Sequence, residues 1–331
     1  MDSRRNFLLR TAAAGLAASA PVGSLATTTS RKKAQIAITL DLEMSRNFPA
    51  WEDTHWDYEK GNLNHAAKHY TTKVCRRVKE AGGIAHNFVV GRTLEQENID
   101  WLMQIASEGH ALGNHTYDHV NITAVTPDKV QYRFQRAPWL MEGRQPRDVI
   151  ERNIRFCTEA MRERLNVEPN GFRTPGGFRG GLSTRPDIQA MLKRQGFTWA
   201  SCAYAGNDMP PRGERPTQRV FESIIAAQAK SQPFRYSSGL IEIPMSPISD
   251  IGAFRSGRWP LKDFVKAVRL ALEWAIENKA VFDFLAHPSC LGVVDPNLET
   301  ISTICETVAS AKDRAEIVDL GTIAESLNTG D

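Results

Sequence analysis

From residue 33 onward, short and nearly all-apolar runs rich in β-branched residues alternate with helix-patterned segments, and this alternation constrains the fold most. Strands are predicted over 34–42, 84–90, 111–114, 171–174, 198–203, 240–244, 281–286 and 316–320. Helices are predicted over 63–81, where Gly82-Gly83 ends the pattern, and over 95–108, 147–165, 260–277 and 297–311. A strand with no polar face needs cover on both sides, which a parallel sheet flanked by crossover helices provides. Roughly seven or eight such units in a chain of this length point to an α/β fold, a single distorted (β/α)7-8 barrel. No linker or repeat interrupts residues 33–331, so one domain is expected there.

The segment before that domain reads differently. Ser3-Arg4-Arg5-Asn6-Phe7-Leu8-Leu9-Arg10 precedes a bland Ala- and Gly-rich run to Ala20, with small residues up to Ala26. A charged start, a short apolar run and small residues at a cleavage point describe a signal peptide. The paired arginines followed by Phe-Leu resemble a twin-arginine signal over residues 1–26, an address rather than an anchor. That resemblance implies export to the periplasm or beyond, by a route that carries folded proteins. Removing it takes away three arginines and one aspartate, so the net charge of +3 falls to +1. A nearly neutral domain gives no electrostatic footprint for nucleic acid. No stretch of 18 or more uncharged apolar residues exists, so no stable membrane insertion is expected. Cys75, Cys157, Cys202, Cys290 and Cys305 are odd in number and widely spaced, which fits neither a disulfide framework nor a zinc ribbon.

Chemistry-bearing residues gather where predicted strands end. Along 34–42 the period of two puts Ile36, Ile38, Leu40 and Leu42 on one face and Thr39, Asp41 and Glu43 on the other. Two carboxylates on one face of an apolar strand repel, and a cation removes the problem. His115 and His119 follow the strand 111–114; if the chain turns helical there, the i,i+4 spacing lets both imidazoles share one zinc ion. His65 and His69 have the same spacing but fall inside a predicted surface helix and read as a solvated face. Arg173 ends the strand before Pro175-Gly176-Gly177, and His287 ends the strand 281–286. Two long insertions, 45–62 with Phe48, Trp51, Trp56 and Tyr58, and 204–238, belong to the loop-bearing face of a barrel.

In order, these segments resemble the polysaccharide deacetylases, carbohydrate esterase family 4 with the NodB-homology domain. The segments are Thr39-Leu40-Asp41-Leu42-Glu43, Asn114-His115-Thr116-Tyr117-Asp118-His119, Phe172-Arg173-Thr174-Pro175-Gly176, Gly196-Phe197-Thr198-Trp199 and Leu285-Ala286-His287. The resemblance implies a barrel and metal-dependent hydrolysis of acetyl groups from an acetylated glycan. It implies that His115 and His119 hold a divalent metal, zinc in the first place. It implies that Asp41 is the general base, that Arg173 tethers Asp41, and that His287 is the general acid. The usual second Asp of the first motif is Leu42 here, which cannot bind a metal, so Glu43 is nominated as third ligand. Asp208 is the nearest acid to tune His287. Trp51, Trp56, Tyr58, Pro175, Gly176 and Trp199 are nominated as substrate contacts, the aromatic ones because sugar rings have apolar faces. Two alternatives stay open: an allantoinase- or imidase-like hydrolase of a non-sugar amide on the same fold, and a non-catalytic glycan-binding barrel.

Overall fold

The computed structural model describes residues 32–328; the signal-like segment, residues 1–26, lies outside the described residues. Nine strands form one sheet: β1 (Ala34–Leu42), β2 (Ala85–Val89), β3 (Ala111–Asn114), β4 (Gly171–Phe178), β5 (Trp199–Ala203), β6 (Phe234–Arg235), β7 (Ile241–Glu242), β8 (Val281–Ala286) and β9 (Ala315–Ile317). Their order is β6-β7-β5-β4-β3-β2-β1-β8, with β9 paired to the start of β1. Only the β6–β7 pair is antiparallel. The sheet curls into a distorted barrel whose β7 and β8 are not strand partners. One main-chain hydrogen bond crosses the gap, Ser246 N–H to the Asp283 carbonyl at 2.8 Å.

All nine residues of β1 are buried, which is the reason the sequence shows no polar face there. Ile36, Ile38, Leu40 and Leu42 pack outward in one cluster with Val74 and Val78 of helix His65–Glu80 and Phe264 and Leu272 of helix Leu261–Glu277. Ala37 faces the lumen, where it joins Phe88, Trp199, Ile243 and Val281. Leu320 and Ile323 of helix Leu320–Ser326 close the lower end. Thr39 and Asp41 continue the inward row towards the C-terminal ends of the strands.

Trp199 belongs to this floor and not to a sugar-binding surface. It is 1% exposed and meets His86 and Phe88 edge-on. Its ring lies directly over Gly171, where a Cβ would stand 1.8 Å from Trp199 Cζ2. Neither β4 nor the indole can yield inside a closed lumen. Gly171→Ala is therefore expected to destabilise the fold by about 3 kcal/mol or more, the upper end of overpacking costs. Equilibrium urea unfolding reads this directly, and a midpoint equal to that of the parent chain would refute it.

Several element boundaries differ from those predicted. The 204–238 insertion contains a helix, Gln218–Lys230, whose Val220, Phe221 and Ile224 are buried. The strand expected to stop at Thr174 runs through Pro175 to Phe178, with a register shift against β5 between Arg173 and Phe178. The helix expected over 95–108 is shorter, Asp100–Ser107, after a 3-10 turn at Gly91–Glu95. The last strand is Ala315–Ile317 and gives way to a helix at Leu320.

Candidate active site

Asp41, Glu43, His115, His119 and His287 lie at or just beyond the C-terminal ends of β1, β3 and β8, the end at which such barrels present side chains from separate strands to one point, and Arg173, near the start of β4, reaches them from within the lumen. Ligand atoms of Glu43, His115 and His119 lie within 4.8 Å of one another. Glu43 Oε2 contacts His119 Nε2 and is 3.8 Å from His115 Nε2.

The two histidines do not meet through a helical turn. Thr116 and His119 both have left-handed backbone, φ 60° and 59°, so residues 115–119 form an irregular loop. Side chains from the neighbouring helix Pro146–Leu165 and from the loop itself hold it. Asn114 Nδ2 donates to the Ile154 carbonyl at 2.8 Å, its Oδ1 accepts from Thr116 N at 2.8 Å, and Thr116 Oγ1 accepts from Val120 N at 3.0 Å. Asn153 adds a carbonyl for Tyr117 N and an Oδ1 for Asp118 N. The i,i+4 spacing is thus right in outcome for a reason other than helical geometry.

His115 Nδ1 lies 2.9 Å from the Arg173 carbonyl, which only accepts, so the proton sits on Nδ1. Nε2 is left as a lone pair, buried and without a hydrogen-bond partner, aimed at the carboxylates. That is the tautomer a metal-ligating imidazole adopts. Burial alone would raise the Glu43 carboxyl, but His119 and Lys60, with Lys60 Nζ 3.1 Å from Oε1, hold it well below the usual carboxylate range. Burial lowers His119, against the opposing pull of Glu43, which keeps its ring neutral and free to ligate. Two imidazoles, one ionised carboxylate and two orphaned buried acceptor atoms make a donor set that suits a divalent cation of borderline softness.

Glu43 is fixed from its main-chain side. Ser289 Oγ donates to the Glu43 carbonyl at 2.7 Å and accepts from Ser45 N at 2.8 Å. Ser289 lies two residues beyond His287, at the start of helix Pro288–Val294, so one hydroxyl ties the β1 exit to the β8 exit.

Arg173 is fully buried and stacks over Phe88 at 4.6 Å from the ring centre. Its closest partner is not Asp41. Nη2 pairs with Asp283 Oδ2 at 2.7 Å and lies 3.1 Å from Thr39 Oγ1, whereas Nη1 is 3.7 Å from Asp41 Oδ1. Asp283 also accepts from Thr39 Oγ1 at 2.8 Å and Ser201 Oγ at 3.3 Å. Arg173 is anchored by Asp283 and meets Asp41 in a longer ion pair, without a hydrogen bond. Asp283, alone among the apolar residues of its strand, is the sign in the sequence that could have revealed this anchor. Asp41 Oδ1 has no hydrogen-bond partner, and Oδ2 lies 3.6 Å from His115 Nε2 and 4.0 Å from His287 Nε2.

His287 is held by Asp250, not Asp208. Asp250 Oδ1 accepts from Nδ1 at 2.8 Å and Oδ2 from the His287 main-chain N–H at 2.7 Å. Burial would lower this imidazole, but Asp250, with Glu43 and Asp41 behind it, raises it to about 9. Nε2 then carries a proton at neutral pH and points at the carboxylates, 4.0 Å from each. Asp208 is exposed and lies 3.3 Å from Arg219. Asp250 follows a Pro-rich stretch with no motif around it, and its setting between Ile248 and Ile251 is the one trace it leaves in the sequence.

The centre opens into a cavity of about 600 Å³ lined by Asp41, Glu43, His119, His287, Met245 and Leu285 among others. A second lobe of about 510 Å³ shares Lys60, His119, Gly176 and Arg255 with it and is also lined by Pro175. Pro175 and Gly176 therefore sit beside the centre. Trp51, Trp56 and Tyr58 line neither lobe. Arg258 and Arg212 cover the Trp51 ring, Trp56 donates from Nε1 to the Phe48 carbonyl at 3.0 Å, and Arg136 covers Tyr58. These contacts clamp the 45–62 loop to its surroundings. His65 and His69 are exposed on helix His65–Glu80, their rings stacked on each other. All five cysteines are buried and unpaired. Among the described residues no helix is long and apolar enough to cross a membrane.

Residues 55–198 match the family model described as polysaccharide deacetylase. The matched stretch contains His115, His119 and Arg173 and leaves Asp41, Glu43 and His287 outside. The chain is 28% identical over 27% of its length to the peptidoglycan-N-acetylglucosamine deacetylase of Bacillus cereus, covering 36% of that protein. It is 33% identical over 22% of its length to the chitooligosaccharide deacetylase of Azorhizobium caulinodans, covering 34% of it. The chain thus spans about a third of the length of these relatives. Its fold is shared with a Mycobacterium smegmatis protein assigned as a polysaccharide deacetylase, with a TM-score of 0.60 and 16% identity over 94% of this chain and 95% of that one. An allantoinase structure has the same fold, with a TM-score of 0.60 and 12% identity over 89% and 90% of the two chains.

Proposed function

We propose that this chain is a metal-dependent deacetylase that removes acetyl groups from an acetylated polysaccharide or oligosaccharide, with Glu43, His115 and His119 as ligands of a zinc ion. The observation that carries the reading is the placement of a buried carboxylate without a hydrogen bond at Oδ1, Asp41, and a protonated imidazole, His287, beside one Glu-His-His cluster in an open cavity. Segment 1–26 supports export by the twin-arginine route, and the domain begins near residue 33. The relatives' names support a glycan substrate over a small cyclic amide, and the complete set of acid, base and ligands speaks against a purely binding role.

A divalent cation in this cluster supplies Lewis acidity toward a carbonyl oxygen and a water. The protein's residues supply the proton transfers. Asp41 Oδ2 takes a proton from the attacking water, with Oδ1 facing Arg173 Nη1 at 3.7 Å. His287 Nε2 delivers a proton to the leaving nitrogen or oxygen, and Asp250 keeps Nδ1 protonated throughout. A main-chain N–H near Gly176, which lines both lobes beside the centre, would help hold the developing oxyanion.

Acetate release from a panel of N- and O-acetylated glycans, with allantoin and cyclic imides as controls, tests this reading. Ammonia or ring-opened product from the controls with no acetate from any glycan would replace it with the amide-hydrolase reading. Glu43→Ala is expected to weaken metal binding by about 100-fold or more, since even loss of an outer partner of a ligand costs 10–100-fold. Leu42→Ala, whose side chain packs outward, is expected to change stability and not metal content. Equal metal affinity in Glu43→Ala and the parent chain, measured by competition with a chelator, would remove Glu43 from the ligand set.

The pH profile carries a further expectation. His287 is charged up to about pH 9 because Asp250 outweighs burial. Asp250→Asn removes the largest of the causes that raise the imidazole, so it titrates lower. The alkaline limb of kcat is therefore expected to move to lower pH. A cation held by Glu43 lowers both chains alike, so the difference between them is the readout. Superimposable profiles would show that His287 is not the titrating acid.

A further inference from the structure

Three lysine or arginine side chains line the main cavity, and their situations differ. Lys60 is committed to Glu43. Arg179, just past the end of β4, and Arg255, in the helical turn Ile251–Gly257, form no ion pair and no hydrogen bond with any described residue. The cavity's own carboxylates cannot serve them. Glu43 is held by Lys60 and His119, and Asp41 faces Arg173 from within the barrel. Two carboxylates thus share one concavity with three lysine or arginine side chains, before any divalent ion is counted.

Arg179 is also placed rather than merely exposed. Its guanidinium lies against the main chain at Gly206, where a Cβ would stand 2.5 Å from Nη2 and 2.8 Å from Cζ. The missing side chain at 206 gives the planar group a seat on the loop after β5. Arg255 lines both lobes of the groove, so a saccharide spanning them passes it. An unpaired guanidinium is a fork of donors with no acceptor, matched in shape to a carboxylate, and a concave low-dielectric wall focuses its field on the bound molecule.

We infer that the cavity takes an anionic saccharide, one that bears a carboxylate near its acetylated position, and that Arg179 and Arg255 bind this carboxylate. The inference rests on the deacetylase reading for the identity of the reacting group. It adds the charge class of the substrate and two specificity-determining residues.

The test uses a matched pair of probes: the tetramer of N-acetylglucosamine, and the same tetramer with its primary alcohols oxidised to carboxylates. Calorimetric binding to the metal-loaded chain is expected to favour the oxidised tetramer by about tenfold or more at low salt. That preference is expected to collapse towards one in 0.5 M salt, where exposed charges are screened at about 4 Å, and in the Arg179→Ala/Arg255→Ala double variant. Gly206→Ala, which displaces Arg179 while keeping its charge, is expected to lose part of the preference. Equal affinity for the two tetramers, or a preference that survives the double substitution, would overturn the inference. Acetate release is read separately. Acetate from both tetramers without preference removes the anionic assignment and leaves the deacetylase; preference in binding without acetate from either removes the deacetylase and leaves the anion site.

Discussion

His115→Ala is expected to strip the bound metal and reduce acetate release by about a thousandfold or more, equivalent to roughly 4 kcal/mol of lost transition-state stabilisation. The residue is 0% exposed, and its single free nitrogen points at Asp41 and Glu43, 3.6 and 3.8 Å away. Glu43 and His119 are already in the set and Arg173 is a cation, so none of these three replaces the lost nitrogen. The substitution also releases the Arg173 carbonyl from its hydrogen bond with Nδ1, so a modest loss of stability accompanies it. The measurement is metal content by elemental analysis together with kcat/KM. Retention of stoichiometric metal in a folded His115→Ala protein would dismantle the proposed centre.

Asp41→Asn is the second large effect and has a different signature. It leaves the three ligands in place, so metal content should stay at the parent level while kcat falls by about 10²–10⁴, the range for loss of a general base. The fold should tolerate it. Arg173 keeps its 2.7 Å pairing with Asp283, so removing the charge of Asp41 does not strand the guanidinium. The reverse holds at Asp283. There Asp283→Ala leaves a fully buried arginine without its closest anion, and breaking such a pair costs about 3–5 kcal/mol. Comparing the two variants by unfolding separates a residue that works on the substrate from one that holds the barrel. If Asp41→Asn turned over substrate at the parent rate, the base would have to be sought elsewhere.

The alternation of apolar strands with helical patterns was enough to read a barrel, because a strand buried on both faces leaves no polar residues to mistake for a loop. The face carrying Thr39, Asp41 and Glu43 was legible from the period of two alone, and strand ends placed His115 and His287 at one rim, whereas Arg173, read as a strand end, lies within β4 because the strand runs on to Phe178. Other relations were not legible, because they depend on contacts between distant strands. Asp250 reaches His287 across 37 positions, and Asp283 reaches Arg173 across 110. Trp199 was nominated for its aromatic character beside a motif, although the predicted strand 198–203 already put it at the start of its strand, the position that places it in the floor. The loop 115–119 hid its left-handed residues behind a spacing that suits a helix equally well.

The seam between β7 and β8 has an effect on how this chain can vary. A barrel closed by a full ladder of peptide hydrogen bonds is indifferent to side-chain identity along the closure. Here the main chain contributes one bond, from Ser246, and the lumen is tied by Arg173 and Asp283 with Thr39 and Ser201. The same arginine that faces Asp41 therefore serves as a strut, so a substitution that changes this pairing also loosens the closure. Mutational drift at the rim is coupled to drift in the frame, and new specificities are more easily acquired at Arg179, Arg255 and the loops that carry them than at the lumen beneath.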